Sequence, residues 1–291
     1  MTVGETNWRK WFRIFPLIIS VFLAQHEVRA QGQEIRIAAA ADLKFAMNEL
    51  AEKFEKQSGT KVNVTYGSSG NFFSQMQNGA PFDLFFSADS EYPKKLEAAG
   101  LAETGTLSEY AVGRIVIWTA ADAKLDVSKL GWQTLLDASM EKIAIANPEH
   151  APYGRAAVAA LQKAGIYESV KDKLVYGENI SQAAQFVQSG NAQAGIVALS
   201  LAVSPAMRDG KRWEIPAEMH PAIEQVAIVL KDAKNKDSAR AFLEFVKSAA
   251  GRAILAKYGF AFPEKDQERG KKITPRGSES ARVTRRRVQE R

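Results

Sequence analysis

Short apolar runs alternate with amphipathic segments through the first third of the chain. The pattern predicts strands at 35–39, 61–66 and 84–86, followed by helices at 42–57, 70–79 and 91–99. Apolar residues recur at three- and four-residue spacing in the first of these helices, as Leu43, Met47 and Leu50, which is typical of one buried helical face. A βαβαβα order predicts a parallel sheet with right-handed crossovers and helices on both faces.

The alternation resumes after a long β-like run at 109–119. It predicts strands at 142–145, 174–176 and 194–198, helices at 152–163 and 181–189, a second long β run at 222–230, and helices at 238–248 and 251–257. Two α/β sheets joined by two long strands would form two lobes with a cleft between them. We therefore expect lobe I at 31–112 and 226–263 and lobe II at 113–225.

Both ends of the chain differ in composition from this body. Three basic residues precede the apolar run 14–24, and small Ala30 follows, which is the pattern of a signal peptide at 1–30. The run is shorter than the roughly 20 residues that cross a bilayer. Because no cysteine follows, a lipid anchor is excluded, so we expect a cleaved leader and a periplasmic protein. Residues 264–291 are basic and poor in apolar residues, and we expect a disordered tail there.

Composition narrows the possible functions. The 291 residues include no cysteine and three histidines, which excludes disulfides and thiolate metal centres and leaves little for any other metal site. The net charge of +6 would suit nucleic acid, but residues 1–30 carry +2 and residues 264–291 carry +5. The body is left at −1. We therefore expect no nucleic-acid partner, no metal site and no cofactor.

Candidate chemistry lies in four loops that follow predicted strands and begin predicted helices. They span 38–42, 67–71, 147–154 and 178–181, and they hold small residues and hydroxyls, with Arg155 as the one basic residue beside them. Helix N-termini present free N–H groups and a partial positive charge, so several together can bind an anion. The plainer alternative is that Asp42, Ser69 and Ser181 are ordinary helix N-caps.

Four segments resemble the family of periplasmic molybdate-binding proteins of ABC importers: AAADLK at 39–44, YGSSG at 66–70, GAPFDLFFSAD at 79–89 and NPEHAPYG at 147–154. The resemblance covers most of residues 31–263. It implies a type II periplasmic binding protein, with two α/β lobes joined by a two-strand hinge, that holds molybdate or tungstate through hydroxyls and amides. It also implies a membrane permease as partner, and we expect a monomer. The oxyanion-binding residues that it implies are Ala41, Asp42, Ser69, Tyr153 and Ile180.

Asp42 departs from that family, whose members carry serine or asparagine there. An ionised carboxylate facing a dianion would repel it. One alternative is that only the backbone N–H of Asp42 points inward while the carboxylate caps the helix. The other is that the carboxylate accepts a proton from a protonated ligand such as hydrogen phosphate.

Two other functions remain as alternatives. The protein could be a receptor for a different tetrahedral oxyanion, such as phosphate, or an enzyme on the same two-lobed fold. Candidate catalysts are few, because His150 and His220 are as well explained as surface residues and no phosphate-binding or dinucleotide glycine motif is present. We therefore predict a binding protein with no catalytic residues.

Overall fold

The computed structural model describes residues 34–263. The predicted signal peptide and the predicted basic tail lie outside the described residues. Within residues 34–263, none of the helices combines the length and the apolar character needed to span a bilayer.

Two five-stranded mixed sheets form the centre of the protein. The first sheet has the order β2-β1-β3-β10-β4. Its strands are β1 (Glu34–Ala40), β2 (Lys61–Gly67), β3 (Leu84–Ser87), β4 (Ser108–Gly113) and β10 (Ile223–Val229). β1 is parallel to β2 and β3, whereas β10 is antiparallel to both of its neighbours. The parallel arrangement predicted for the first three strands is thus confirmed, and the antiparallel strands β10 and β4 extend the sheet.

The second sheet has the order β7-β6-β8-β5-β9. Its strands are β5 (Ile115–Thr119), β6 (Ile143–Ala146), β7 (Leu174–Gly177), β8 (Ala194–Ala198) and β9 (Lys211–Glu214). β6 is parallel to β7 and β8, and β5 runs antiparallel to β8 and β9. Each lobe therefore has a parallel part, whose strands end toward the cleft, and an antiparallel part that receives the connections between the lobes.

Helices cover the sheets. Those of the first lobe are α1 (Lys44–Ser58), α2 (Ser69–Gln77), α3 (Glu91–Ala98), α10 (Lys236–Lys247) and α11 (Ala249–Lys257). Those of the second lobe are α4 (Val127–Leu130), α5 (Gln133–Leu136), α6 (Pro152–Lys163), α7 (Tyr167–Val170), α8 (Ile180–Gln188) and α9 (Leu199–Ala202). Short 3-10 turns at Ala41–Leu43, Lys171–Lys173 and Ala217–Met219 complete the fold.

The connections between the lobes differ from the predicted pair of long strands. The run 109–119 is two strands in two sheets, because the chain leaves the first sheet after Gly113 and joins the second at Ile115. Arg114 lies at this crossing, where its side chain donates to the Gly259 carbonyl at 3.0 Å and to the Glu214 carboxylate at 2.7 Å. The return connection runs through 215–222, and β10 lies wholly in the first sheet. We propose lobe boundaries at Arg114 and just before Ile223.

Apolar burial explains why each lobe holds its shape. In the first lobe, Met47, Leu50 and Phe54 of α1 pack in one core with the sheet, as their spacing predicts. The core of the second lobe is rich in alanine, so its helices lie close to the sheet. Rigid lobes of this kind hold the loops at the strand ends in fixed positions.

Candidate anion-binding site

A small cavity lies between the lobes where the strand ends of both sheets meet. The space between its lining atoms is about 190 Å³, part of which is open to solvent. All five residues predicted for the site contribute to its lining, which consists of Ala40, Ala41, Asp42, Gly67, Ser68, Ser69, Ala88, Ala151, Pro152, Tyr153, Asn179 and Ile180. The structure thus brings together predicted residues as far apart in sequence as Ala41 and Ile180, which are separated by 139 positions.

The serine pair at the start of α2 offers two buried hydroxyls with different partners. Ser69 is fully buried, and its Oγ accepts a hydrogen bond from the Ala88 N–H at 3.0 Å. Ser68 is also buried, but its Oγ has no hydrogen-bond partner among the described residues. A buried hydroxyl without a partner is costly. Ser68, which the sequence analysis did not select, is therefore a further candidate for contact with a ligand.

Asp42 is buried in the 3-10 turn that follows β1, with a relative exposure of 1%. The backbone N–H groups of Asp42 and Leu43 favour the ionised form of its carboxylate and lower its pKa, so local capping of the turn stays an open interpretation. Oδ2 also accepts a hydrogen bond from the Tyr153 hydroxyl at 3.0 Å, across the cleft. Oδ1 is buried and has no partner among the described residues. One carboxylate oxygen is therefore held by the opposite lobe, while the other is buried without a partner.

A buried chain of hydrogen-bonded polar side chains holds Tyr153 in its contact with Asp42. The Tyr110 hydroxyl donates to Gln225 Oε1 at 3.1 Å, and Gln225 Nε2 donates to the Tyr153 hydroxyl at 3.4 Å. All four members of the chain are almost completely buried. Gly113 leaves room for it, because a Cβ there would lie 2.2 Å from the Tyr153 hydroxyl oxygen. The Tyr153 hydroxyl is therefore fixed in position and directed at Asp42.

The protonation of this chain follows from its burial. Desolvation raises the pKa of Asp42 to about 7, and the hydrogen bond from Tyr153 opposes that rise. Desolvation also raises the pKa of Tyr153 and of Tyr110 well above the ordinary value, and the nearby Asp42 charge adds to both shifts. Both tyrosines are therefore neutral donors at physiological pH, whereas Asp42 titrates near it.

The start of α8 supplies backbone donors from the second lobe. Asn179 caps the helix, with its side-chain oxygen accepting from the N–H groups of Ser181 at 3.0 Å and Gln182 at 3.1 Å. Ile180 is the first helical residue, and an N–H at that position has no acceptor within the helix. Because Ile180 also lines the cavity, its N–H is available to an anion there.

Hydrogen bonds between the lobes show that the cleft is closed. Ser181 Oγ donates to the Ala41 carbonyl at 2.9 Å, and Ser200 Oγ donates to the Asp42 carbonyl at 2.7 Å. Gly70 N–H donates to the His150 carbonyl at 2.9 Å. A Cβ on Gly70 would lie 2.8 Å from that carbonyl oxygen, so glycine is what permits this approach. Ser181 thus uses its side chain to join the lobes, and its N–H, not its hydroxyl, takes part in the cap.

Cations lie outside the cavity. None of the lining residues is lysine, arginine or histidine. Arg155, near the cleft, pairs with Asp89 at 2.5 Å and lies over the Tyr92 ring at 5.6 Å. The His150 ring contacts the Glu178 carbonyl at 2.9 Å. Within residues 34–263 no cluster of acidic or histidine side chains has the arrangement of a metal site. Any anion here would be held by dipoles and hydroxyls.

Sequence reasoning missed four residues that shape the site: Ser68, Tyr110, Ser200 and Gln225. Ser68 lies in the YGSSG motif next to Ser69, so the motif itself could have identified Ser68 as a candidate. The other three lie within ordinary strand or helix patterns, and only their burial as polar groups reveals them. A single sequence carries no sign of that burial.

Two α/β lobes that close on a small polar cavity between helix N-termini define a two-lobed solute-binding protein of the periplasmic binding protein fold. The family of bacterial extracellular solute-binding proteins matches residues 35–261. The molybdate-binding protein ModA of Azotobacter vinelandii is 37% identical over 250 residues, covering 86% of this chain and 98% of that protein. ModA of Rhodobacter capsulatus is 38% identical over 231 residues, which cover 79% of this chain and 89% of that protein.

Structural comparison agrees with these matches. The periplasmic molybdate-binding protein of A. vinelandii superimposes with a TM-score of 0.74 at 32% identity, covering 79% of this chain and all of that chain. The chain therefore belongs to the ModA family of bacterial extracellular solute-binding proteins.

Proposed function

We propose that this protein captures molybdate in the cleft and delivers it to an ABC importer. The observation that carries the proposal is the cavity itself, where helix starts from both lobes present hydroxyls and N–H groups and no cation is present. A tetrahedral dianion can be held by such donors without a formal counter-charge. The names of the relatives specify molybdate among such anions.

The donors come from both lobes, so the anion would hold the closed form together. Ser69, and with it Ser68, would act from the first lobe together with the N–H groups of Ala41 and Asp42. Ile180 would donate its N–H from the second lobe, and Tyr153 would act through Asp42. Charge-assisted hydrogen bonds contribute about 1.5–3 kcal/mol each. The five donors would supply about 8–15 kcal/mol before the costs of closure and association, so a sub-micromolar Kd, about −8 kcal/mol, needs bonds near the strong end of that range.

The family supports further parts of the proposal. An extracellular solute-binding protein must be exported, which fits a cleavable signal peptide at residues 1–30 and a periplasmic location. Its partner would be a permease in the inner membrane, and its role would be binding without catalysis, as a monomer. Tungstate has the same shape and charge as molybdate, so we propose that it binds to the same donors.

Isothermal titration calorimetry with molybdate, tungstate, sulfate and phosphate tests this function. We expect sub-micromolar Kd values for molybdate and tungstate and much weaker binding of sulfate and phosphate. Tighter binding of phosphate than of molybdate would refute the proposal and favour the alternative in which the Asp42 carboxylate accepts a proton from the ligand. An independent check is thermal unfolding, because a ligand that binds only the folded state raises the Tm.

Matched serine variants test the location of the site. Ser68→Ala and Ser69→Ala should each weaken molybdate binding while leaving the fold intact. Ser189→Ala is the control, because Ser189 is exposed at the end of α8 and its hydroxyl donates to the Phe186 carbonyl. Equal molybdate affinity in all three variants would place the anion elsewhere.

A further inference from the structure

Asp42 presents a problem that the proposed function leaves unsolved. Asp42 lines the cavity, and its Oδ1 is buried without a partner among the described residues. An ionised carboxylate on a lining residue would repel an incoming dianion. Oδ1 with a proton on it would be a hydrogen-bond donor, like the N–H groups around it.

The polar chain behind Asp42 decides where that proton can be. Gln225 uses its Oε1 to accept from Tyr110, so its Nε2 is the end that donates to the Tyr153 oxygen. Tyr153 must then direct its own proton toward Asp42 Oδ2. With Oδ2 occupied as an acceptor, the remaining site for a carboxyl proton is Oδ1, on a residue that lines the cavity.

Among residues 34–263, the groups that lower the pKa of Asp42 are hydrogen-bond donors, namely Tyr153, Gln225 and the N–H groups of Asp42 and Leu43, and none of them is a charged side chain. α8 and α9, which pack against the turn, carry no charged side chain. On α1, the Lys44 ammonium lies 6.0 Å from the Phe45 ring centroid. On α6, Arg155 is paired with Asp89 at 2.5 Å.

The strands behind the site do not supply a cation either. β4 directs Tyr110 toward the site, a phenol whose pKa is raised, and β10 directs Gln225, which does not titrate. Glu224, the neighbour of Gln225 in β10, points to the opposite face of the sheet, since side chains alternate along a strand. Within the described part of the chain, Tyr153 from α6 is the titratable side chain that hydrogen-bonds to Asp42, and it is neutral.

We propose that Asp42 binds the anion as a neutral carboxylic acid, donating a hydrogen bond from Oδ1 to an anion oxygen, so that capture of a dianion takes up one proton. The inference rests on the proposed function. The proton comes from solvent, it stays on Asp42, and no covalent bond of the anion changes. Asp42 is then a specificity-determining ligand that replaces the hydroxyl or amide donor of the relatives with an acid.

The consequence is a coupling between pH and affinity. The pKa of Asp42 is raised to about 7 by burial, and a bound dianion raises that pKa further because it favours the neutral acid. Below about pH 7 the acid is already protonated and affinity is constant. Above about pH 7 each complex must take up a proton, so the Kd for molybdate should rise about tenfold per pH unit.

The test is calorimetric titration of molybdate into the full mature protein from about pH 6 to about pH 9, where molybdate remains a dianion. At about pH 8, titrations in two buffers with different ionisation enthalpies count the protons taken up. We expect close to one proton per molybdate and a rising Kd. Asp42→Asn is the matched control, because its amide is a donor without a proton to gain, and its Kd should not change with pH.

Each outcome has a distinct meaning. If the wild type binds molybdate with a Kd that is independent of pH and no proton is taken up, the inference is overturned and the proposed function stands. If neither protein binds molybdate at any pH, the proposed function fails. Proton uptake in the wild type is measured without any variant, so the inference stays testable even if Asp42→Asn does not fold. Equal pH dependence in both proteins would assign the proton to another group and overturn the inference.

Discussion

Replacing Asp42 with asparagine should stabilise the ligand-free protein at alkaline pH. The physical reason is the buried carboxyl, whose pKa is raised from 3.8 to about 7 in the folded state. Between those values the folded protein keeps a proton that the unfolded chain has lost. The free energy of unfolding therefore falls as the pH rises through this window, and the full penalty is present above about pH 7.

The size of the effect follows from the shift. A shift of one pKa unit corresponds to about 1.4 kcal/mol, so a shift of about three units has a ceiling of about 4 kcal/mol. Asparagine has nearly the same shape and no charge, and its side-chain oxygen can still accept from the Tyr153 hydroxyl. We expect a gain of about 2–4 kcal/mol at about pH 8, which for a protein of this size raises the Tm by about 5–10 °C.

Thermal unfolding without ligand, followed by circular dichroism from about pH 5 to about pH 8, measures this difference. The advantage of Asp42→Asn should grow steadily with pH. The control is Asp232→Asn, because Asp232 is exposed in the turn after β10, and its difference from the wild type should stay near zero. A difference between Asp42→Asn and the wild type that is constant with pH would refute the reasoning, as would a wild type that is the more stable at pH 8.

Three further substitutions test the contacts around the cavity, each by molybdate calorimetry. Tyr153→Phe removes the donor to Asp42 and should weaken binding about fivefold, the effect of one hydrogen bond of about 1 kcal/mol between neutral groups; an unchanged Kd would mean that the hydroxyl has no role. Gly113→Ala places a Cβ only 2.2 Å from the Tyr153 hydroxyl oxygen, so both the affinity for molybdate and the Tm should fall. Wild-type values of both would contradict this packing argument. Ser200→Ala removes the bond to the Asp42 carbonyl that forms across the cleft, and at about 1 kcal/mol the Kd should rise about fivefold.

Periodicity predicted most of the elements because each depends on local spacing. The strand 194–198 and the helix 152–163 have the predicted bounds, and the other long elements differ by a few residues at their ends. The run 109–119 was predicted as one strand because an apolar run does not show where a chain changes sheets. β9 was missed because its sequence, Lys-Arg-Trp-Glu, has no apolar run, and its pairing with β5 is what makes it a strand.

The part of the site that the sequence predicts is the part that can be located from the starts of helices. The four loops were placed at the ends of strands, and topology then brings those ends to one cleft. The sequence could not show the contact of Asp42 with Tyr153, since a capping partner is local and Tyr153 lies 111 positions away. A contact over that distance depends on how two lobes meet.

The sequence by itself determined the class of fold, the neutral charge of the body and the loops that carry hydroxyls and amides, because spacing and composition are local properties. The tertiary structure alone decided which oxygens are satisfied and which are not. Burial removed water from Asp42, the closure of two lobes supplied Tyr153 for one carboxylate oxygen, and the other was left without a partner. Desolvation and partner choice depend on the whole packed molecule, and these set the protonation of the site.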